Sequence, residues 1–499
     1  MSESGAQGPR PSLARRYCIV FCASEAAPFA KTGGLGDVVG ALPKVLSRMG
    51  HDVSVFCPLY RTVRSSAQLE DTRVRAKVPI LNRLFEAEIW RSRLPGSEVP
   101  VYFVRNDEYY DRPGFYDENG SAYDDNCSRF VFFNRVILEA LPRLNIVPDI
   151  MHCNDWHTAL IPVYLKKVYK NLSPHYRARS VLTIHNLAYQ GEFGHMDMPI
   201  LGLGWDAFNP NELEFHGRLN FLKSGILFAD ALTTVSRYYA RQILTSQEGM
   251  GLHEVLSYRR RALTGILNGI DEHAWDPSQD LIIAERYGPD NLSGKAVCKR
   301  ALQVRLGLEQ SDSTPLVGIV SRLAEEKGTG LIAEAFDWIM GLGVQVALLG
   351  NGSPRYHGFF EEMNHQYHGR VSCILGFDER LAHQIYAGAD MFLMPSMTEP
   401  CGLSQMYALR YGTVPVVRRT GGLADTVRDY ASPTSHAATG FTFDPFACEA
   451  MVEALQRAVR LYPDRPRWQR LMRNGMTEDF SWEKSALEYV KLYGKVLRG

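Results

Sequence analysis

Apolar and polar positions fall in blocks along the first sixty residues, and the blocks predict a strand, a helix and a second strand. Tyr17-Cys18-Ile19-Val20-Phe21-Cys22 has the length and the β-branched content of a buried strand. After a loop ending in Gly33-Gly34, apolar residues recur at helical spacing over residues 35–49, and Gly50 ends the stripe. Residues 52–57 predict the next strand. This order is the building block of doubly wound α/β domains.

The second half of the chain repeats this order of elements. Residues 316–320 predict a strand, residues 321–328 a polar loop, and the apolar positions from 331 to 339 a helix. Further strands are predicted at residues 344–349, 391–395 and 413–417. The second half is therefore predicted to be another Rossmann-like domain, and the fold class is α/β with two such domains facing a deep cleft.

The length of 499 residues also favours two domains, because one hydrophobic core rarely supports a chain of this size. We place the boundary near residue 262, because residues 263–271 are typical of a strand and turn that open new structure. The predicted domains are then residues 17–262 and 263–480. Residues 1–16 are small, polar and arginine-containing, and we predict a disordered lead there.

Composition excludes several partner classes. Lysine plus arginine equals aspartate plus glutamate at 55 each, so no global field draws the protein onto nucleic acid or a membrane. No apolar run is long enough to span a bilayer. Nine cysteines without a CxxC pair indicate reduced thiols and a cytoplasmic location. A plastid is the minor alternative, because transit peptides are arginine-rich, although Glu3 interrupts the lead.

Three loops at predicted strand ends carry candidate chemistry for a nucleotide-sugar site between the domains. They are Lys31-Thr32-Gly33-Gly34-Leu35-Gly36-Asp37, Pro395-Ser396-Met397-Thr398-Glu399-Pro400-Cys401-Gly402-Leu403 and Thr420-Gly421-Gly422-Leu423-Ala424-Asp425. Glycines let backbone amides approach a phosphate, and a helix N-terminus and Lys31 add positive charge. The alternative for Gly33 and Gly34 is a turn chosen for tight packing of the strand against the helix.

Charged residues in two of these strand-end regions have both a chemical and a plain interpretation. Arg322 and Lys327 could neutralise a diphosphate leaving group, or they could be solvated surface cations beside Glu325 and Glu326. Glu399 could accept hydrogen bonds from sugar hydroxyls, or it could cap the helix that starts near residue 402.

Aromatic and imidazole side chains cluster at other strand ends. His152, Asp155, Trp156 and His157 follow one apolar run, and His185-Asn186 follows another. Their spacing matches no common zinc site, so we expect hydrogen bonding to a sugar and stacking by Trp156 rather than a metal. Phe377 could stack on a nucleobase or belong to the core.

Taken in order, these motifs resemble the bacterial glycogen synthase and plant starch synthase family from about residue 17 to residue 493. The resemblance implies the GT-B fold and a retaining transfer of glucose from ADP-glucose to the non-reducing-end 4-hydroxyl of an α-1,4-glucan. It implies neither a metal nor pyridoxal phosphate. It makes residues 17–262 the acceptor-side domain, residues 263–480 the nucleotide-sugar domain, and residues 481–499 a C-terminal helix that crosses back to the first domain.

The resemblance also assigns roles. The diphosphate would be held by Lys31, Arg322 and Lys327, with the amides around Gly33, Gly34, Gly421 and Gly422. His185 would approach the transferred glucose, Glu399 its far hydroxyls and Asp155 the reacting sugar, while Phe377 would cover the adenine. The predicted catalytic residues are His185, Glu399, Arg322, Lys327 and Asp155, and Asn186, Cys401, Gly402, Leu403, Tyr407 and Thr420 complete the predicted substrate contacts.

The sequence departs from the family pattern at several positions and leaves rival functions open. Glu326 stands where the family usually has glutamine, Asn154 where histidine is common, Arg237 where proline is common, and Met397-Thr398 where many bacterial members have a basic and an aromatic residue. The donor nucleotide could therefore differ, and the acceptor could be a small sugar. A catalytically silent glucan-binding homologue is the alternative from another functional class.

Overall fold

The computed structural model describes residues 15–499, which form two compact units. The first unit runs to Thr183 and also contains Tyr189–Ala231 and Leu492–Gly499. The second contains Ile184–Ala188 and Leu232–Lys491. The predicted disordered lead lies outside the described residues except for its last two positions, and the domain boundary at residue 262 stays a prediction.

The first unit is built on a mixed sheet. Its strands are β1 (Cys18–Cys22), β2 (Asp52–Pro58), β3 (Glu70–Ile80), β4 (Arg83–Arg93), β5 (Pro100–Arg105), β6 (Asp117–Glu118), β7 (Ser121–Ala122), β8 (Ile150–Asn154), β9 (Arg179–Ile184), β10 (Glu192–Gly194), β11 (Glu214–Phe215) and β12 (Arg218–Asn220). Its helices are α1 (Gly34–Arg48), α2 (Arg61–Ser66), α3 (Asp107–Tyr110), α4 (Asn126–Arg143), α5 (Leu160–Lys167) and α6 (Phe221–Phe228).

Parallel pairing places the candidate loops of this unit at one edge of the sheet. The strand order is β9-β8-β1-β2-β5-β4-β3. Strands β9, β8, β1, β2 and β5 pair in parallel, and β3 and β4 form an antiparallel extension. Helix α1 buries the predicted apolar stripe, and the chain turns at Gly50, whose φ is +93°. Short antiparallel pairings join β10, β12 and β11, and also β6 and β7.

The second unit contains a fully parallel sheet of six strands. The strands of this unit are β13 (Ala231–Thr234), β14 (Leu263–Gly265), β15 (Leu316–Val320), β16 (Gln345–Gly350), β17 (Val371–Leu375), β18 (Met391–Met394), β19 (Val414–Arg418) and β20 (Phe441–Phe443), of which β15 to β20 form the sheet. Its helices are α7 (Arg237–Gln242), α8 (His253–Tyr258), α9 (Ser293–Leu306), α10 (Thr329–Glu334), α11 (Phe336–Gly341), α12 (Pro354–Gln366), α13 (Glu379–Gly388), α14 (Ser404–Arg410), α15 (Gly421–Thr426), α16 (Cys448–Leu461) and α17 (Arg465–Met476). Helix α18 (Trp482–Arg498) begins in this unit, and its residues from Leu492 onward belong to the first unit.

The six-stranded sheet of this unit has the order β17-β16-β15-β18-β19-β20 and is covered on both faces. Along β16, Val346 and Leu348 belong to one apolar core, and Ala347 and Leu349 belong to another. Both faces of β16 are therefore buried, which explains why the sequence shows a continuous apolar run there rather than alternation. The predicted α/β class is confirmed.

One predicted element is divided in the structure. The single helix predicted through residues 331–339 is observed as α10 and α11, because the backbone at Ala335 leaves helical geometry with φ −94° and ψ 10°. Strand β14 pairs in parallel with β13, with Leu232 opposite Leu263.

Across residues 15–499, no helix is both long and apolar enough to cross a membrane.

Candidate active site

The loop after β1 is organised by a glutamate that the sequence analysis missed. The buried carboxylate of Glu25 accepts hydrogen bonds from the Thr32 amide at 2.7 Å, the Thr32 hydroxyl at 2.6 Å and the Gly33 amide at 3.3 Å. The hydroxyl of Tyr116 donates to the same carboxylate at 2.7 Å. Glu25 therefore fixes the backbone that carries Lys31 and the two glycines.

Lys31 itself is half-exposed and pairs with Asp37, with 2.7 Å between Nζ and Oδ1. Burial raises the pKa of Asp37, and the hydrogen bond from Lys31 opposes that shift. No described atom lies within 4 Å of the Cβ position of Gly33 or Gly34. Tight packing is therefore not the reason for these two glycines, which lie beside open space.

The residues after β8 are mostly part of the core. Asp155 is buried, and its φ of 53° with ψ of −173° lies outside the left-handed helical region, which is a strained conformation for a residue other than glycine. The Trp156 ring lies 4.8 Å from the ring of Phe130, and a Cβ on Gly191 would come within 2.4 Å of it. The Trp156 ring is thus largely buried, and its expected stacking on a sugar stays a prediction. His152 bonds through both ring nitrogens to Tyr493 and Thr183, at 2.7 and 2.6 Å.

His185 and Asn186 follow β9 and belong to the second unit. Burial lowers the pKa of His185 to about 3, so the imidazole is neutral at neutral pH. The side-chain oxygen of Asn186 accepts a hydrogen bond from the Ala188 amide at 3.0 Å. The Leu187 amide donates a hydrogen bond to the Tyr239 hydroxyl at 3.2 Å. A neutral, positioned imidazole can exchange hydrogen bonds with a sugar hydroxyl, but it does not act as a cation.

The loops after β15 and β18 carry three predicted catalytic residues and bring two of them into contact. Lys327 Nζ lies 2.6 Å from Glu399 Oε2, and the Ser396 hydroxyl donates to the same oxygen at 3.0 Å. Arg322 pairs with Glu326 in the same loop, with 2.8 Å between Nη2 and Oε1. The two loops meet because β15 and β18 are neighbouring parallel strands, whose carboxyl ends share an edge.

A glycine makes this close approach possible. Gly328 has φ +74°, and a Cβ there would lie 2.2 Å from the carbonyl oxygen of Pro395. The Met397 amide donates to the Glu326 carbonyl at 2.9 Å, which ties the two loops together. The sequence predicted only a polar loop ending at Gly328, because the reason for a glycine there depends on the neighbouring strand.

The predicted loop at residues 420–425 is mostly the first turn of α15, where Gly421 and Gly422 pack against the loop that carries Glu399. A Cβ on Gly421 would lie 1.9 Å from the Glu399 carbonyl oxygen, and one on Gly422 would lie 1.8 Å from that of Cys401. The Gly422 amide donates to the Glu399 carbonyl at 3.0 Å. The Gly421 amide donates to the side chain of Gln242 at 2.7 Å. These amides serve contacts within the chain, and their predicted contact with phosphate stays a prediction.

The remaining predicted substrate contacts have different surroundings. Cys401 is buried among apolar residues, and burial raises its pKa to about 12. Leu403 and Tyr407 are partly buried beside the same cluster, and the Tyr407 ring stacks 4.0 Å from that of Trp275. Gly402 has a positive φ of +71°. Thr420 is buried, and its hydroxyl accepts a hydrogen bond from the Gln242 side-chain amide at 3.2 Å.

Phe377 resolves one choice that the sequence left open. Its side chain is 91% exposed in the loop after β17, so it is not a core residue. An exposed aromatic ring at a strand end can stack on a planar ligand. Among the described residues, no group of three or more His, Cys, Asp or Glu could hold a metal ion.

Comparison with known proteins assigns both halves of the chain. Residues 18–258 match the family described as "Starch synthase catalytic domain", and residues 307–474 match "Glycosyl transferases group 1". Glycogen synthase of Syntrophotalea carbinolica is 45% identical over 481 residues, which cover 96% of this chain and 99% of that protein. Glycogen synthase of Anaeromyxobacter sp. is 47% identical over 477 residues, which cover 95% and 98%.

Solved structures agree. The catalytic domain of starch synthase IV from Arabidopsis thaliana, bound to ADP and acarbose, has a TM-score of 0.87, 36% identity, and coverage of 97% of this chain and 100% of that one. Sucrose-phosphate synthase from Thermosynechococcus elongatus, at 17% identity and a TM-score of 0.58, shares the fold alone. The predicted GT-B fold is confirmed. The chain belongs to the glycogen synthase and starch synthase family of glycosyltransferases.

Proposed function

We propose that the enzyme transfers glucose from ADP-glucose to the non-reducing-end 4-hydroxyl of an α-1,4-glucan, with retention at the anomeric carbon. The observation that carries the proposal is the ion pair between Lys327 and Glu399 at the carboxyl ends of β15 and β18. Arg322 lies in the same loop as Lys327. Family membership supports the same conclusion, because the Arabidopsis relative was solved with ADP and acarbose. The adenosine diphosphate corresponds to the proposed leaving group.

The two cations support departure of a diphosphate. As the bond between the anomeric carbon and the phosphate oxygen breaks, the electron pair goes to ADP, and Arg322 and Lys327 stabilise the growing negative charge. The contact of Lys31 to the diphosphate, which the family resemblance implies, stays a prediction. Positive charge develops on the sugar, and the carboxylate of Glu399 accepts hydrogen bonds from its hydroxyls.

The acceptor oxygen then bonds to the anomeric carbon on the face that ADP leaves, and the hydroxyl proton passes to the departing phosphate oxygen. This front-face substitution needs no covalent glycosyl-enzyme intermediate. The neutral imidazole of His185 contributes a hydrogen bond to the transferred glucose, and Asp155 faces the reacting sugar. Neither metal nor pyridoxal phosphate takes part in the proposed reaction.

A cytoplasmic location belongs to the same proposal. All nine cysteines of the chain are free thiols, as expected in a reducing compartment. The substrates proposed are a nucleotide sugar and an α-glucan, without nucleic acid or membrane.

A coupled assay of nucleotide diphosphate release tests the proposal, with glycogen, maltose and water as acceptors. ADP-glucose with glycogen should give the highest kcat/KM, UDP-glucose should be slower, and EDTA should leave the rate unchanged. Faster reaction with UDP-glucose would overturn the donor, and preference for maltose would overturn the polymer acceptor. Binding of ADP-glucose without turnover on any acceptor would make the protein a silent homologue.

A further inference from the structure

Two neighbouring glutamates in the loop after β15 have different partners. The carboxylate of Glu325 accepts a hydrogen bond from the Tyr356 hydroxyl and lies 4.0 Å from the Arg355 guanidinium on α12. Glu326 instead pairs with Arg322 at 2.8 Å. The backbone of Glu326 is fixed by the 2.9 Å hydrogen bond from the Met397 amide to its carbonyl oxygen. Its carboxylate is therefore held beside the guanidinium that the proposed function assigns to the diphosphate.

The pair between Arg322 and Glu326 is accessible to water and easily exchanged. The Arg322 side chain is 66% exposed and that of Glu326 is 42% exposed. Exposed ion pairs are weak, because solvent screens the charges and both side chains lose freedom on pairing. A diphosphate carries more charge than one carboxylate and offers Arg322 bidentate geometry. The nucleotide can therefore take Arg322 away from Glu326.

The second cation of this loop has a different kind of partner. Glu399 is only 8% exposed at its side chain and also receives the Ser396 hydroxyl, so its pair with Lys327 is part of a buried network. Glu399 orients Lys327 and has its own proposed contact to the sugar. Glu326 has neither property, and its pairing with Arg322 is what distinguishes it from Glu325 in this loop.

We propose that Glu326 sets the affinity of the donor site by competing with the nucleotide diphosphate for Arg322. The proposal rests on the proposed function, in which Arg322 binds that diphosphate. Binding exchanges the carboxylate partner of Arg322 for phosphate and leaves the Glu326 charge beside the bound anion. Glu326 thus weakens the binding of ADP-glucose and of ADP, and speeds the release of ADP after transfer.

Titration calorimetry with ADP tests this inference on the full chain. Glu326→Gln keeps the shape of the side chain and removes its charge, and Glu325→Gln removes the same charge one residue earlier. We expect Glu326→Gln to lower the Kd for ADP by about two- to fivefold at low salt, the range that corresponds to one exposed ion pair. Glu325→Gln should leave the Kd unchanged.

Salt and a second substitution separate competition from a structural effect. The gain in Glu326→Gln should shrink when ionic strength rises from about 0.1 M to about 1 M, because the screening length falls from about 10 Å to about 3 Å. The gain in ADP affinity should also shrink in an Arg322→Ala background, since the guanidinium for which Glu326 and the diphosphate compete is then absent.

Three results would overturn the inference. They are an unchanged or raised Kd in Glu326→Gln, an equal gain in both glutamine variants, and a gain that persists in full without Arg322. In each case a weakened binding of ADP by Arg322→Ala alone would leave the proposed function standing. If Arg322→Ala does not weaken ADP binding, the assigned role of Arg322 fails and the inference fails with it.

Discussion

Replacing Lys327 by methionine should abolish most of the turnover while leaving the protein folded. The substitution removes the positive charge and keeps an unbranched side chain of similar length. In the proposed reaction this charge contributes mainly when the bond to ADP breaks, so kcat should fall more than substrate affinity. We expect kcat to decrease by about a hundred- to a thousandfold.

The magnitude follows from the position of the ammonium group. Its contact with Glu399 is 2.6 Å long, and the two side chains are 20% and 8% exposed, so the site is largely shielded from water. One preorganised contact to a developing anion in such a site contributes about 2.7–4 kcal/mol to the transition state. That range corresponds to the expected loss in kcat, since about 1.4 kcal/mol is a factor of ten.

The loss of stability should be smaller than the total stability of the domain. Removing one partner of a fully buried ion pair costs about 3–5 kcal/mol. Glu399 keeps its hydrogen bond from Ser396, and Lys327 is partly accessible to water, so we expect about 3 kcal/mol or less. Native domains have about 5–15 kcal/mol of stability, and the variant should therefore remain folded.

The assay is ADP release from ADP-glucose on glycogen, together with urea denaturation of each variant. Lys299→Met is the matched control, because Lys299 forms another buried pair with Asp390 at 2.8 Å. Asp390 precedes β18, whereas Glu399 follows it, so the control pair lies at the opposite edge of the sheet. Lys299→Met should lose at least as much stability and keep its kcat.

Wild-type kcat in folded Lys327→Met would refute the reasoning about leaving-group charge. An equal loss of kcat in folded Lys299→Met would show that the decrease comes from the buried charge left behind, and would refute it as well.

Two further predictions concern His185 and Phe377. Because burial lowers the pKa of His185 from 6.5 to about 3, the unfolded chain takes up a proton below pH 6.5 that the native state refuses, and stability falls as pH decreases toward 3. Urea denaturation at pH 6.5 and 4.5 should show a loss about 2–3 kcal/mol larger in the wild type than in His185→Gln, and equal losses would contradict the shift. Phe377 is 91% exposed, so Phe377→Ala should change stability by less than about 0.5 kcal/mol. It should weaken ADP binding at least about fivefold by loss of stacking but leave pyrophosphate binding unchanged, and equal weakening of both ligands would exclude a contact to the base.

Elements with both faces buried were the most predictable from the sequence. Strands β15, β16, β18 and β19 are continuous apolar runs, and each was predicted within one residue at either end. The hairpin of β3 and β4 was not predicted. Burial alternates from Ala76 to Ile80 along β3 and from Phe85 to Ile89 along β4, so the period of two that marks a half-buried strand was present and was overlooked.

Candidate residues next to glycine-rich turns were also predictable, whereas their partners were not. Arg322, Lys327 and Glu399 were recognised by residue type at predicted strand ends. Glu25 and Gln242, which hold the backbone of two of these loops, carry no local signal, because their partners are seven and 179 positions along the chain. The burial of Trp156 shows the same limit, since its contacts with Phe130 and Gly191 depend on tertiary packing.

The sequence by itself determined the two Rossmann-like halves, their order of elements and the ordered motifs that identify the family. These properties are encoded locally, in the periodicity of apolar residues and in glycines where the chain turns. Only the tertiary structure decided which carboxylate each cation contacts, that His185 is buried and neutral, and that Phe377 is exposed. The ion-pair partner, the burial and the pKa of a side chain depend on atoms that neighbouring strands bring close, although these strands are distant in sequence. The residue type at a single position therefore does not determine them.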